Sequence, residues 1–216
     1  PYSVTSPTVA GYTPDIATVM GTMPAHDVDV TVTYTANTDT AYKVEHYTQN
    51  LDLASFSLQD TDNLTGTTNT LATASLNSYT GFSAPGVAPS EIIAGDGSTV
   101  IRVEYTRNSY TITFDSAGGS YVAPITELYE APVAPPVSPT REGYTFNGWD
   151  TMIPATMPAY DQTITAMWQI NNYELEITYI MGDGGAAPVP YSGGYDFGEP
   201  YSVTSPTVAG YTPDIA

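Results

Sequence analysis

The chain has 216 residues, of which 23 are acidic, four are basic and none is cysteine, so its formal net charge is −19. A surface this poor in cations argues against nucleic acid or an anionic membrane face as partner, and no apolar run approaches the ~18 residues of a spanning helix. Its 41% hydrophobic residues and 18 tyrosines argue against wholesale disorder, and the missing cysteine removes disulfides and thiolate-held metals.

In chain order, residues 1–17 (PYSVTSPTVAGYTPDIA) carry a Ser-Pro-Thr turn and a Gly11-Tyr12 pair. Residues 22–27 (TMPAHD) read as a turn. They lead into the alternating run Val28, Val30, Val32, Tyr34, which predicts a half-buried strand that closes on Asn37. A second alternating strand is predicted over residues 42–47 (YKVEHY), followed by an acidic stretch at Asp60 to Asn63. The best helical candidates are short, at residues 71–76 and 90–94, and no window of 11 residues holds a 3.6 period. Gly81-Phe82 repeats the Gly-aromatic pair, Asp96-Gly97 reads as a tight turn, and an alternating run closes on Tyr105 and Asn108. Residues 110–114 (YTITF) predict a further strand, after which the glycines of 115–119 (DSAGG) read as a hairpin or bulge device. A proline-rich loop follows, then Gly143-Tyr144, a second Thr-Met-Pro-Ala turn at 156–161, and a strand closing on Trp168 and Asn171. Residues 173–179 (YELEITY) predict another strand before a glycine-rich loop. The expected class is mainly β.

Residues 200–216 repeat residues 1–17 without a change, at an offset of 199. Seventeen identities in a row read as one period of a longer array with a short overlap. Inside the period, three diverged modules of roughly 65 residues each open on a Tyr-led strand, pass a Gly-aromatic pair and close on aromatic-x-x-Asn. The divisions expected are 1–37 as the C-terminal part of one module, 38–107 and 108–171 as whole modules, and 172–216 as the N-terminal part of the next. The split module is expected to be completed along the array, or head to tail by a neighbouring chain through strand addition.

The third module, from Tyr110-Thr-Ile-Thr-Phe114 through Gly143-Tyr-Thr-Phe-Asn-Gly-Trp149 to Trp168, resembles an internalin-type B-repeat, the Listeria–Bacteroides repeat. The split module, with Tyr173 to Tyr179, Gly210-Tyr211 and Val28 to Tyr34, is similar to mucin-binding-protein (MucBP) repeats. The middle module resembles the linking repeats that accompany these two. The resemblance implies ubiquitin-like β-grasp modules with a reduced helix, strung as an elongated array in secreted or wall-attached bacterial surface proteins, and no enzymatic activity.

The residues themselves offer little catalytic chemistry. The two histidines occupy slots held by apolar or aromatic residues in the sister modules: His46 that of Phe114 and Ile177, His26 that of Tyr160. Both read as structural, and no catalytic residue is expected. For calcium, which needs several oxygens in one loop, Asp60 and Asp62 are the first candidates, although solvated acidic turns are the preferred reading of these acids. No other cofactor is expected. Lys43, the one lysine, lies on an outward slot beside Glu45, so no isopeptide cross-link is expected. Trp149 and Tyr144 are the candidates for stacking on glycans. The expected function is a stalk repeat of a long extracellular adhesin or fibre. Its partners would be further copies of itself, and host glycoprotein or mucin glycans if the modules bind directly.

Overall fold

The alternating runs fold as strands. The computed structural model describes residues 1–215, and among them the chain is all β, with no helix. It divides into two compact units. One holds Pro1–Tyr110, Glu127–Ala131 and Thr156–Tyr160; the other holds Thr111–Thr126, Pro132–Ala155 and Asp161–Ala216.

The first unit begins with two small antiparallel ladders. β1 (Tyr2–Thr5) pairs with β3 (Thr18–Gly21), and β2 (Tyr12–Pro14) pairs with β4 (Tyr34–Ala36). A four-stranded sheet follows, built from β5 (Thr40–Gln49), β6 (Phe56–Gly66), β8 (Phe82–Ser83) and β10 (Val100–Arg107) in the order β6-β5-β10-β8. Its first and last strands, β5 and β10, are parallel neighbours at its centre, with Val44 opposite Ile101 and His46 opposite Val103. Their period-two pattern turns Val44, His46, Ile101, Val103 and Tyr105 inward, and all of them are buried. At about 1.5–3 kcal/mol for each large apolar side chain removed from water, this face supplies much of the unit's stability.

Beside this sheet lies a third ladder, β7 (Leu71–Thr73) against β9 (Ser90–Ile92). These are the two segments expected to be helical. Ala72 and Ala74 are buried while Leu71 and Thr73 are exposed, which is a strand period. Segments this short cannot hold a helix alone, whereas cross-strand pairing satisfies their backbones. The strand expected from Val28 onward is also shorter than its pattern implied, since ladder pairing begins only at Tyr34.

In the second sheet, β11 (Ser109–Asp115), β12 (Ile125–Leu128), β13 (Tyr144–Trp149) and β14 (Gln162–Ile170) run in the order β12-β11-β14-β13. Again the first and last strands are parallel, with Phe114 opposite Ile164. Ile112 and Ile164 are fully buried. An aromatic train runs from Phe114 to Trp149 (5.0 Å), to Phe146 (5.3 Å) and to Trp168 (5.5 Å). The indole N–H of Trp168 donates to the Ser116 carbonyl at 2.9 Å. The glycines after β11, expected as a hairpin or bulge device, form a tight turn closed by Gly119 N–H to Ser116 O at 2.9 Å. The chain then forms a hairpin, β15 (Asn172–Ile177) with β16 (Tyr191–Asp196).

The duplicated segment keeps its local contacts in both copies. Both copies close the same local loop: Ser6 Oγ donates to Ile16 O and Ser205 Oγ to Ile215 O, each at 2.6 Å. The turn before the tyrosine also recurs, with Tyr12 N to Val9 O at 3.0 Å and Tyr211 N to Val208 O at 3.1 Å. Only the first copy forms β1 and β2. Their partners, β3 and β4, come from residues beyond the repeated seventeen.

Candidate functional site

Asparagine stands at each break between the last strand of one sheet and the first strand of the next: Asn37 between β4 and β5, Asn108 between β10 and β11, Asn171 between β14 and β15. Each donates its N–H to the carbonyl of the glycine in a Gly-aromatic pair: Asn37 to Gly11 (2.8 Å), Asn108 to Gly81 (2.9 Å) and Asn171 to Gly143 (2.8 Å). Each carbonyl accepts an N–H from farther along the chain, that of Thr68 (2.9 Å), Tyr129 (2.8 Å) or Phe197 (2.9 Å). Each Oδ1 accepts the hydroxyl two residues after the glycine, from Thr13 (2.7 Å), Ser83 (2.7 Å) or Thr145 (2.5 Å). In two cases Nδ2 also donates to a tyrosine hydroxyl, Tyr110 at 3.5 Å and Tyr173 at 3.3 Å. A side chain offering both an acceptor and donors from one planar group suits this position, which is why asparagine recurs there.

The glycines are fixed by the same geometry. Gly11, Gly81 and Gly143 have φ of 78°, 81° and 74°. A Cβ at these positions would enter the Thr68 side chain, the Tyr129 ring and the Phe197 ring respectively. The aromatic after the second and third glycines flanks the same contact. Phe82 meets Tyr129 edge-on at 5.8 Å, and Phe197 lies between Tyr144 (6.1 Å) and Tyr173 (6.4 Å). The result is a polar clasp formed three times, with an aromatic shell around the second and third.

The middle clasp also holds a cation. The Arg107 side chain is 8% exposed, stacks 4.6 Å from the Phe82 ring, and donates from Nη1 to Tyr129 O (2.7 Å) and Glu130 Oε2 (3.0 Å) and from Nε to Gln49 O (2.9 Å). Glu130 is 56% exposed, so solvent screens that ion pair, and the bonds to backbone carbonyls carry most of the interaction.

The residues singled out from sequence lie elsewhere. Asp60 and Asp62 lie on one face of β6, and each has an oxygen engaged by protein. Asp60 Oδ2 accepts from the Tyr79 hydroxyl at 2.6 Å, and Asp62 Oδ2 lies 3.2 Å from His46 Nε2. Among the described residues, no group of three or more His, Cys, Asp or Glu is placed to hold a metal ion. Trp149 is half-buried against Phe114 and Phe146, and Tyr144 is half-buried beneath the Arg141 guanidinium, 3.8 Å from the ring centre. Lys43 and His26 are exposed, and His46 is fully buried. Sequence reading found the Gly-aromatic pair and the closing Asn separately but not their meeting. The available signal was the hydroxyl residue at a constant two positions after each glycine.

The chain is all β, its strand units recur with such clasps between them, and part of it matches a known repeat domain. Residues 110–171 match the family of the Listeria-Bacteroides repeat domain. A protein of Evansella cellulosilytica named "Putative membrane protein" is 29% identical over 105 residues, which is 45% of this chain and 16% of that protein. Internalin H of Listeria monocytogenes is 46% identical over 49 residues, 23% of this chain and 9% of that protein. The chain thus spans less than a fifth of the length of these relatives. Among the described residues, no helix is long and apolar enough to cross a membrane.

Proposed function

We propose that this chain is a stalk repeat of a long bacterial cell-surface or extracellular fibre, in which successive β modules give reach. The observation that carries this reading is the threefold Asn–Gly clasp. It ties the break between consecutive sheets with backbone hydrogen bonds on both sides, where a flexible connector would leave those groups to water. On this reading the modules are 38–107, 108–171 and the split pair 172–216 with 1–37, the last kept as MucBP-like on its own residues. The parallel first and last strands in the order second-first-last-third support a β-grasp topology for the two whole modules. The similarity of residues 110–171 to the Listeria-Bacteroides repeat supports a surface location.

At this module size, radius-of-gyration scaling gives about 80 Å per period of three modules. The test is small-angle scattering of a chain containing two linked periods. A maximum dimension that grows by about that length per added period is expected. A particle whose dimension grows only as the cube root of mass would overturn the stalk.

A further inference from the structure

We propose that the apolar groove over residues 2–34 is a docking site for the β15–β16 hairpin of a second copy of this sequence, which adds in parallel alongside residues 28–34. The inference rests on the tandem reading and names the partner that completes it.

The chain contains its own template. In residues 38–107, β8 pairs with β10, β7 pairs with β9 in a separate ladder, and the hairpin β5–β6 covers β10 from the other side. Residues 1–36 reproduce the first two elements, with β2 pairing β4 and β1 pairing β3, and lack the third. Residues 172–196 reproduce the third alone: β15 pairs with β16 and with no other strand among the described residues. Each half presents the ladder the other needs.

The side chains agree. Val28, Val30 and Val32 alternate ahead of Tyr34 as Ile101 and Val103 alternate ahead of Tyr105, and as Ile164 and Ala166 do ahead of Trp168. Where the first strand is present, Ile101, Val103 and Ile164 are all 0% exposed; where it is missing, Val28 and Val30 are 38% and 45% exposed and the segment forms no ladder. A period-two apolar run stays unpaired when no strand satisfies its backbone on that side. The groove, with a volume of about 430 Å³, is walled by Tyr2, Val19, Val28, Val30, Val32 and Tyr34. The hairpin offers Leu175 and Ile177 on one face of β15, the slots that Val44, His46 and Phe114 fill in the two whole sheets. Transferring the β5–β10 register sets Ile177 beside Val32, and the β11–β14 register sets it beside Val30. Seventeen identical residues following the hairpin are those that open the groove, so every further period would present the same pair.

The absence of cysteine makes the test clean. Chains carrying Ile177→Cys are mixed under mild oxidation with chains carrying Val30→Cys, Val32→Cys or, as the outward control, Thr31→Cys. A cross-linked dimer with position 30 or 32, and little with 31, is expected. In sedimentation, Val30→Asp and Ile177→Asp chains should each remain monomeric, yet form a one-to-one dimer when mixed, since each keeps the surface the other has lost. That dimer also establishes that neither variant is merely unfolded. Wild-type chains that stay monomeric at all concentrations with no cross-link would overturn the inference, as would a doubly substituted Ile177→Cys/Val30→Cys chain that closes only on itself. Scattering from linked periods tests the stalk independently, so a failure of docking is distinguishable from a failure of that reading.

Discussion

His46 sits at the centre of a polar chain through an otherwise apolar core. The Asn77 N–H donates to the Tyr105 hydroxyl at 2.7 Å, Tyr105 Oη lies 3.0 Å from His46 Nδ1, and His46 Nε2 lies 3.2 Å from Asp62. Tyr105 is fully buried, so its hydroxyl finds its partners within this chain. His46→Phe, the residue type of the sister module, keeps volume but leaves the buried Tyr105 hydroxyl without its ring partner; a loss of about 1–3 kcal/mol in urea unfolding is expected. Nearby, burial pushes the Tyr79 phenol up to about 12, with the Asp60 carboxylate acting in the same direction. The folded value lies above the unfolded one near 10, so this contribution is complete below pH ~10 and is lost as pH rises towards 12. Alkaline unfolding should therefore begin in that window, and Tyr79→Phe should flatten it. At the middle clasp, Arg107→Met keeps the stem but frees two backbone carbonyls, with an expected cost of about 2–4 kcal/mol, against less than about 1 kcal/mol for Glu130→Gln.

Strand type was legible at element scale wherever alternation was long, as in β5, β10, β11 and β14. It failed at β7 and β9, where three-residue strands carry too few positions to fix a period, and it overshot before β4, where the period was right but no partner was present. The clasps were legible only as separate residues, because the glycine and the asparagine that meet are more than twenty residues apart. Their glycines are the positions least able to change. Gly81→Ala and Gly143→Ala each combine positive φ with a Cβ aimed into an aromatic ring, and should cost more than the ~1 kcal/mol of backbone strain alone, read as a lowered urea midpoint. Gly210, whose φ is 83°, meets no neighbour within 4 Å, so Gly210→Ala should cost only the backbone part. The parallel contact between first and last strands has a mechanical consequence. Tension applied at the start of β5 and the end of β10 loads their register pairs together in shear, so single-molecule pulling should give higher unfolding forces for residues 38–107 in this direction than when pulled across β6 and β5.

Charge operates at the scale of the whole molecule. A net −19 with four cations means like charges face one another along any array, which favours extension and opposes lateral association. Three of those cations are spent on local contacts: Arg102 over Tyr47 (3.9 Å), Arg107 in the clasp and Arg141 over Tyr144 (3.8 Å). Copies that meet through the groove and hairpin must overcome this repulsion, so their association should strengthen with added salt, opposite to the trend for partners of unlike charge.

The duplicated segment separates what sequence alone determines from what the tertiary structure decides. Seventeen identical residues fix the Ser–Ile loop closure and the turn before the tyrosine in both copies, because those bonds lie within the segment. Residues 2–5 and 12–14 become β1 and β2 by pairing with Thr18–Gly21 and Tyr34–Ala36, because a strand satisfies its backbone only through another segment. The repeat, the β class and the Listeria-Bacteroides repeat of residues 110–171 were written in the chain. The clasps and the unpaired groove emerged only when residues distant in sequence were brought together.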